Sequence, residues 1–342
     1  MEAQNATDQA DWGIIMELIT IVIPNYNGKT YLSDCLMSLD AERQRLDTPC
    51  FRVLVVDNGS IDGSVQLLAE RWPQVEKVLL TENTGFCHAV NVGIRRADTP
   101  YVILLNNDTK VKTGFVKSLY NAIEKDTKLF SVSAQMLMWD KPELIDDAGD
   151  LYCVLGWAFA RGKGRPAKTY DRPARVFSAC GGAAIYRRSV FEEIGLFDEK
   201  HFAYLEDLDI GYRARIYGYR NAYEPEAQVL HFGSASTGSR YNEFKTTLAS
   251  ANNVYVIGKN MPFLQFLINF PFLFFGFFVK ALFFWKKGMG VLYLRGLKKG
   301  LGLVLSEEGR RHKVPFSIKH FKNYLAIQWA LYVNTIKFLT KG

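Results

Sequence analysis

The sequence predicts an α/β fold, a doubly wound and mostly parallel sheet followed by a helical segment of different composition. Three observations carry that prediction. Short apolar runs rich in β-formers alternate with stretches of helical periodicity. The run Tyr101-Val-Ile-Leu-Leu105 has no polar face, as a strand buried on both sides requires. Three apolar runs end in small polar loops, at residues 24–28, 57–60 and 106–108. Ligands of open α/β sheets bind beyond the carboxyl ends of the strands, so three such loops on one edge describe a nucleotide site.

In chain order, Ile19-Thr-Ile-Val-Ile-Pro24 reads as a strand closed by its proline, and Asn25-Tyr-Asn-Gly28 as turn chemistry. A helix follows with Leu32, Cys35, Leu36 and Leu39 on one face. Phe51-Arg-Val-Leu-Val-Val56 is a second buried strand, and Asp57-Asn-Gly-Ser60 the loop at its end. The next helix presents Val65, Leu68, Ala69 and Trp72. A third strand lies at 75–80, and Asn83-Thr-Gly85-Phe86 leads into a helix over about 87–97. After the strand at 101–105 come Asn106, Asn107 and Asp108, then a helix over 115–125 and a strand-then-loop over 136–149. Such alternation gives parallel strands with right-handed crossovers. The glycines follow neither the dinucleotide nor the P-loop pattern.

Chemistry concentrates at few places. A lone carboxylate at a strand end, Asp108, suits a hard cation that keeps phosphate oxygens as its other ligands. Residues 161–175 are basic, with Gly162, Gly164, Pro166 and Pro173, and read either as a loop over the site or as a solvated surface loop. Gly181, Gly182 and Ala183 are small enough for backbone to approach a substrate. Glu206, Asp207 and Asp209 crowd the start of a helix. Carboxylates favour helix N-termini, but three exceed one cap, and mutual repulsion raises a carboxyl pKa toward that of a general base. His231 ends a strand, and both a structural histidine and a metal ligand fit it.

Composition bounds the setting. Five cysteines at irregular spacing, with no CxxC pair, fit reduced thiols in a cytosolic compartment. Residues 1–18 are polar, include Glu2, Asp8 and Asp11, lack the apolar core of a signal peptide, and read as a loose leader. The net charge of +7 is uneven, because the chain from Lys259 onward carries 14 Lys and Arg against Glu307 and Glu308. That basic tail is dense in Phe, which favours an anionic membrane surface and no nucleic acid.

Taken together and in this order, IVIPNYNG (21–28), VVDNGSIDGS (55–64), ENTGFCHAVNVGI (82–94), LLNNDT (104–109), CGGAAIYRRSVFEEIGLFDE (180–199), YLEDLDIGYRARIYGY (204–219) and HFGSAS (231–236) resemble the family 2 glycosyltransferases of GT-A fold. Among them the chain is most similar to rhamnosyltransferases of bacterial surface polysaccharides. The resemblance implies an inverting, metal-dependent transfer from a nucleotide-diphosphate sugar, dTDP-rhamnose, to a lipid-linked saccharide acceptor. UDP-hexose or UDP-galactofuranose as donor, or a non-catalytic sugar-binding scaffold at a membrane surface, are the alternatives. It implies that Pro24, Asn25 and Tyr26 wall the base and ribose and that Asp57 bonds the pyrimidine, with Asn83, Gly85, Asn106 and Asn107 completing the donor site. Gly181, Gly182 and Ala183 would line the substrate. Asp108 matches the last acid of the Asp-x-Asp motif that holds Mg²⁺ or Mn²⁺, and His231 a second ligand. Asn106 stands where Asp is commoner, which lowers the expected metal affinity. Asp207 matches the base, beside Glu206. The Gln-x-x-Arg-Trp motif of processive members is absent after Asp207, the only Arg-Trp being Arg71-Trp72, so non-processive transfer is expected.

The expected division is a leader (1–18), a transferase domain (19–258) and a membrane-associated helical region (259–342). Residues 261–279 form an uncharged run of 19 that contains Gln265, Asn269, Pro271 and Gly276. Pro271 predicts two short helices bent at its position. The cations that follow, from Lys286 to Lys313, prefer the cytosolic side, as must a site using cytosolic sugar nucleotides. The expectation is therefore no single crossing but helices in the cytoplasmic interface of the plasma membrane, peripheral or monotopic, joined by a second apolar stretch at 324–339.

Overall fold

A computed structural model describes residues 17–233 and 242–340. The leader before residue 17, and Ser234, Ala235 and Ser236 of the last matched stretch, lie outside the described residues. The chain begins with β1 (Ile19–Asn25), α1 (Lys29–Arg43), β2 (Phe51–Asn58), α2 (Ser64–Arg71), β3 (Glu76–Leu80), α3 (Phe86–Arg96) and β4 (Tyr101–Leu105). β1 pairs in parallel with both β2 and β4, and β2 with β3. These four of the ten strands therefore have the order β4-β1-β2-β3, and the expected doubly wound part is present. Its cause is the pattern read above: β4 is buried along its whole length, and α1 buries Leu32, Cys35, Leu36 and Leu39. On α2 the inward positions are Ser64 and Leu68, while Ala69 is exposed, because the helix is only eight residues long and lies against the sheet by one turn.

The second half continues with β5 (Thr109–Val111), α4 (Phe115–Glu124), β6 (Leu129–Met138), β7 (Ile145–Asp147), β8 (Asp150–Tyr152), β9 (Ala158–Ala160), β10 (Ala174–Val176), β11 (Ala183–Arg187), α5 (Val190–Ile194), α6 (Glu206–Ile216) and β12 (Arg220–His231). β11 is wedged antiparallel between β4 and β6, and β12 runs parallel to β6. The sheet is mixed with a mostly parallel centre. β6 begins at Leu129, seven residues before the strand expected at 136, since Ser131, Ser133 and Gln135 disguise a run that is buried on both faces. The 161–175 segment holds a turn of 3₁₀ helix at Ala167–Tyr170 and β10.

Five further helices follow: α7 (Glu243–Asn260), α8 (Phe263–Lys286), α9 (Gly290–Leu305), α10 (Glu307–Arg311) and α11 (Phe321–Leu339). One apolar core fills each face of the sheet. A third joins α6 to the helices, with Tyr212, Val256, Leu273, Tyr324 and Leu331 in contact across it. The two helices expected around Pro271 are instead one, and Pro271 lies inside α8. A proline removes one backbone donor, but the flanking turns and lateral packing carry the helix through. α8 is also turned inside out. Its buried positions are Gln265, Asn269, Leu273 and Gly276, while Phe263, Phe274, Phe275 and Phe278 are exposed.

Candidate active site

The carboxyl ends of β1, β2 and β4 bring the three polar loops together. Asn25 donates to Asp57 Oδ2 at 2.7 Å, and Asn107 donates to Asn25 Oδ1 at 2.6 Å. Asp57 also receives the Ser60 N–H at 2.9 Å. All three side chains are buried, and Tyr26 stands exposed beside them. Gly28 permits this knot, since a Cβ there would fall 1.9 Å from Asn107 Nδ2. A fourth loop joins through Asn58, which donates to Asn83 Oδ1 and to the Gly85 carbonyl and accepts from Thr84. Sequence reading named Asn83 and Gly85 but not Asn58, whose position at the last residue of β2 was the available signal.

Asp108 and His231 come from distant parts of the chain and are joined by strand register. β5 pairs antiparallel with β12 so that Thr109 faces His231, and the Phe232 N–H bonds the Asp108 carbonyl. His231 Nε2 then lies 3.4 Å from Asp108 Oδ1, and Nδ1 lies 2.7 Å from Asp146 Oδ2. Lys163, from the basic 161–175 segment, reaches Asp146 at 2.6 Å, so that segment does border the site. Burial pulls the His231 pKa down, but hydrogen bonds to Asp108 and Asp146 outweigh it and raise the pKa to about 9. Two carboxylates thus surround a place that favours positive charge. Once the imidazolium gives up its proton, one carboxylate and one imidazole, the latter oriented by a second carboxylate, form a donor set that fits Mn²⁺. Asp146 escaped the sequence reading, although Asp146, Asp147 and Asp150 crowd into five positions.

A second acidic group surrounds the start of α6. Glu206 and Asp207 occupy its first turn. Gly181 packs against Asp207, where a Cβ would meet Oδ1 at 2.5 Å. Glu206 Oε2 and Asp207 Oδ1 are buried and hydrogen-bond to no group among the described residues. Donor atoms of Asp147, Asp150 and Cys180 lie within 4.8 Å of one another nearby, close enough to hold an ion. Burial raises the Cys180 thiol well above its usual range, and a neutral thiol is a poor ligand for a hard cation. The acids hold protons instead. Burial, and then Glu206 and Asp147, push Asp207 well above the carboxylate range. Burial and Asp207 raise Asp150 to about 7, and burial, Asp150 and Asp209 raise Glu206 to about 7. Asp209 faces away and is structural: it accepts from Arg213 and Lys259 at 2.8 and 2.9 Å and from Asn260 at 2.7 Å.

The two acidic groups are neighbours. The Asn106 N–H donates to the Gly182 carbonyl at 2.9 Å, so the loop bearing Asp108 abuts the glycines that touch Asp207. Ala183 pairs with Leu105 at the start of β11.

A mixed α/β sheet with acids and amides gathered along one carboxyl edge is an architecture that binds a ligand beyond its strand ends. Residues 20–195 match the family described as Glycosyl transferase family 2, and the chain belongs to that family. It is a glycosyltransferase. It is 30% identical over 254 residues to the N-acetylglucosaminyl-diphospho-decaprenol L-rhamnosyltransferase of Mycobacterium tuberculosis (strain ATCC 25618 / H37Rv), covering 65% of this chain and 78% of the relative. It is 23% identical over 214 residues to a poly-beta-1,6-N-acetyl-D-glucosamine synthase of Staphylococcus aureus (strain COL), 62% of this chain and 49% of that one. Among solved structures, GalNAc-T7 with UDP, GalNAc and Mn²⁺ superposes with a TM-score of 0.56 at 18% identity, over 70% of this chain and 47% of that one. The mannosyltransferase PcManGT from Pyrobaculum calidifontis, with GDP-Man and Mn²⁺, gives 0.50 at 17%, over 94% and 87%.

Proposed function

We propose that the protein transfers one rhamnose, with inversion, from dTDP-rhamnose to a lipid-linked saccharide ending in N-acetylglucosamine, at the cytoplasmic face of the plasma membrane. The observation that carries this reading is Asp207, a half-buried carboxylate with an unpartnered oxygen beside the glycines that abut the Asp108 loop. In this reading Asp207 takes the proton of the acceptor hydroxyl, whose oxygen attacks the anomeric carbon opposite the diphosphate. Glu206 keeps the Asp207 pKa high by repulsion whenever it is itself ionised. Asp108 and His231 hold the cation, with Asp146 fixing the imidazole so that Nε2 faces Asp108. A bound Mn²⁺ or Mg²⁺ supplies charge compensation for the departing diphosphate. Pro24, Asn25, Tyr26, Asp57, Asn83, Gly85, Asn106 and Asn107 bind the nucleotide and its sugar. Gly181, Gly182 and Ala183 line the acceptor side. The choice of rhamnose and of the acceptor rests on the 30% identical mycobacterial relative and its printed activity.

The proposed division is a transferase unit (19–258) and a basic, Phe-rich unit (259–342), meeting in the last turn of α7. Membrane attachment through the second unit is supported by the inside-out α8, whose polar residues Gln265 and Asn269 bond Gln328 of α11 while its phenylalanines face outward. The 24-residue helix is long and apolar enough to cross a membrane. Both its ends, however, are tied to α7: Pro262 follows that helix directly, and Met289, just past the other end, accepts from Thr246 near the start of α7. An α8 lying along the interface meets both ties.

The test is transfer by the detergent-solubilised full chain, with a short polyprenyl-diphospho-N-acetylglucosamine as acceptor. Separate reactions contain dTDP-rhamnose, UDP-galactose or UDP-galactofuranose with Mn²⁺. The expected product gains one deoxyhexose whose anomeric configuration is inverted by NMR. Exclusive use of a UDP-sugar would replace the donor, retention of configuration would remove the base mechanism, and full activity in EDTA would remove the cation.

A further inference from the structure

The turn before α6 is the most strained backbone among the described residues. Phe202, Tyr204 and Leu205 have φ of 59°, 69° and 66°, three of only four described non-glycine residues with positive φ. L-residues in this region are disfavoured by their Cβ, and the conformation persists only where surrounding groups impose it. Leu205 is also the residue from which α6 starts, and its carbonyl receives the Asp209 N–H. The direction in which Glu206 and Asp207 project is therefore set by this turn.

One side chain ties three of its carbonyls. Asn252, on α7 and fully enclosed, donates its amide to the carbonyls of His201, Ala203 and Tyr204 at 2.9, 2.9 and 2.8 Å. Two amide hydrogens serve three acceptors, so at least one is shared. On the opposite side the Cys87 N–H donates to the Phe202 carbonyl at 3.2 Å, and the Phe202 ring covers Gly85. The turn is thus clamped between α3, which follows the Asn83–Gly85 loop, and α7, which lies outside the segment matched by the family.

We propose that Asn252 is a positioning residue of the transferase. It holds the left-handed turn 201–205 and so aims the Asp207 carboxylate. The inference rests on Asp207 being the base. It brings α7, which lies beyond the segment matched by the family, into the positioning of the base through one amide.

The neighbouring Asn253 provides the control. It is equally buried on the same helix and donates to the Gly156 carbonyl at 2.8 Å, away from the turn. Asn252→Ala is expected to lower kcat by about 10²-fold, the cost of misplacing a reacting group by an ångström, with donor KM within about threefold of wild type. Asn253→Ala is expected to lower Tm similarly while keeping kcat. Amide hydrogen exchange at Asp209, whose N–H is held by the Leu205 carbonyl, should accelerate in the first variant and not in the second. Leu205→Gly on the Asn252→Ala background should recover part of kcat, because glycine adopts the left-handed conformation without strain. Should Asn252→Ala not fold, Asn252→Ser, with one short donor, is measured in the same way. Unchanged kcat in the Asn252 variant, or equal kcat losses in both asparagine variants, overturns the positioning role. An Asp207→Asn enzyme that turns over normally would instead remove the reading on which it rests, so the two failures are distinct.

Discussion

Asp207 and Asp209 stand two positions apart in the first turn of α6 and have opposite chemistry. The helix N-terminus favours a charged carboxylate at both. At Asp207 burial, Glu206 and Asp147 overcome that preference and keep the proton on. At Asp209 burial also opposes ionisation, but Arg213 and Lys259 reverse it and hold the carboxyl far below the usual range. The sequence shows three acids in four positions and no sign of this division. Arg213 is one helical turn away and legible as a partner, whereas Lys259 is brought in by packing of α7. The two aspartates should therefore fail in different ways. Asp207→Asn should lower kcat by at least about 10²-fold and leave unfolding in denaturant almost unchanged, since an amide resembles the protonated acid already present. Near wild-type turnover, with Glu206→Gln inactive, would move the base to Glu206. Asp209→Asn should destabilise by about 3 kcal/mol, because the buried Arg213 loses its counter-charge and Lys259 is left with Asp198 alone. A denaturant midpoint equal to wild type would show that the Lys259–Asp209 pair contributes nothing net.

At the scale of elements, the strands of the first half were legible because alternation of apolar runs and helical periodicity is a local signal. The strands of the second half were not. β6 carries Ser131, Ser133 and Gln135 on a face covered by its neighbours; Ser131 bonds Asn221 and Gln135 receives Gln228, partners on β12. The acids at 146, 147 and 150 likewise gain meaning only when β7 and the β8–β9 hairpin fold toward α6. Their consequence is a pH dependence with two opposite faces. Asp150 and Glu206 have pKa raised to about 7, and Asp207 is raised well above the carboxylate range, against unfolded values near 4. Below about pH 4 both states hold these protons, and between about 4 and 7 only the folded state does. Stability from this group is therefore present at low pH and lost as pH rises through 7. Activity needs the base deprotonated and should rise over the same range and beyond. Asp150→Asn should flatten the fall of Tm between about pH 4 and 7 and shift the rising limb of kcat to lower pH, because one negative neighbour of Asp207 is gone. A kcat profile flat across that interval would detach the acidic group from catalysis.

For the whole molecule, the question is what the outward phenylalanines meet. A soluble helix turns its apolar stripe inward. α8 does the reverse: Gln265 bonds Gln328 and receives the Tyr212 hydroxyl, while Phe274 is 66% exposed. α9 and α11 add Leu294, Leu301, Trp329 and Ile336 to the exposed apolar surface. The sequence made the apolar run and the basic tail plain, and it also made a bend at Pro271 look necessary. The division into two helices fails because helix continuity here is decided by lateral packing on α11, which propensity at one residue does not report. The same packing ties α8 to the catalytic body at both ends, and this favours an in-plane helix in the proposed membrane attachment. Binding to vesicles by this surface combines apolar burial with attraction of the basic tail to anionic headgroups. Flotation with phosphatidylglycerol vesicles should therefore retain most of the protein at high salt and lose it in detergent. Phe274→Glu with Phe278→Glu should abolish flotation and slow transfer to a long-chain polyprenyl acceptor about 10-fold or more, while transfer to a short, soluble acceptor stays within about twofold. A cysteine replacing Lys319 should be labelled only after cells are opened. Labelling from outside intact cells would establish a span through α8, and unchanged flotation of the double variant would give the phenylalanine face to a protein partner.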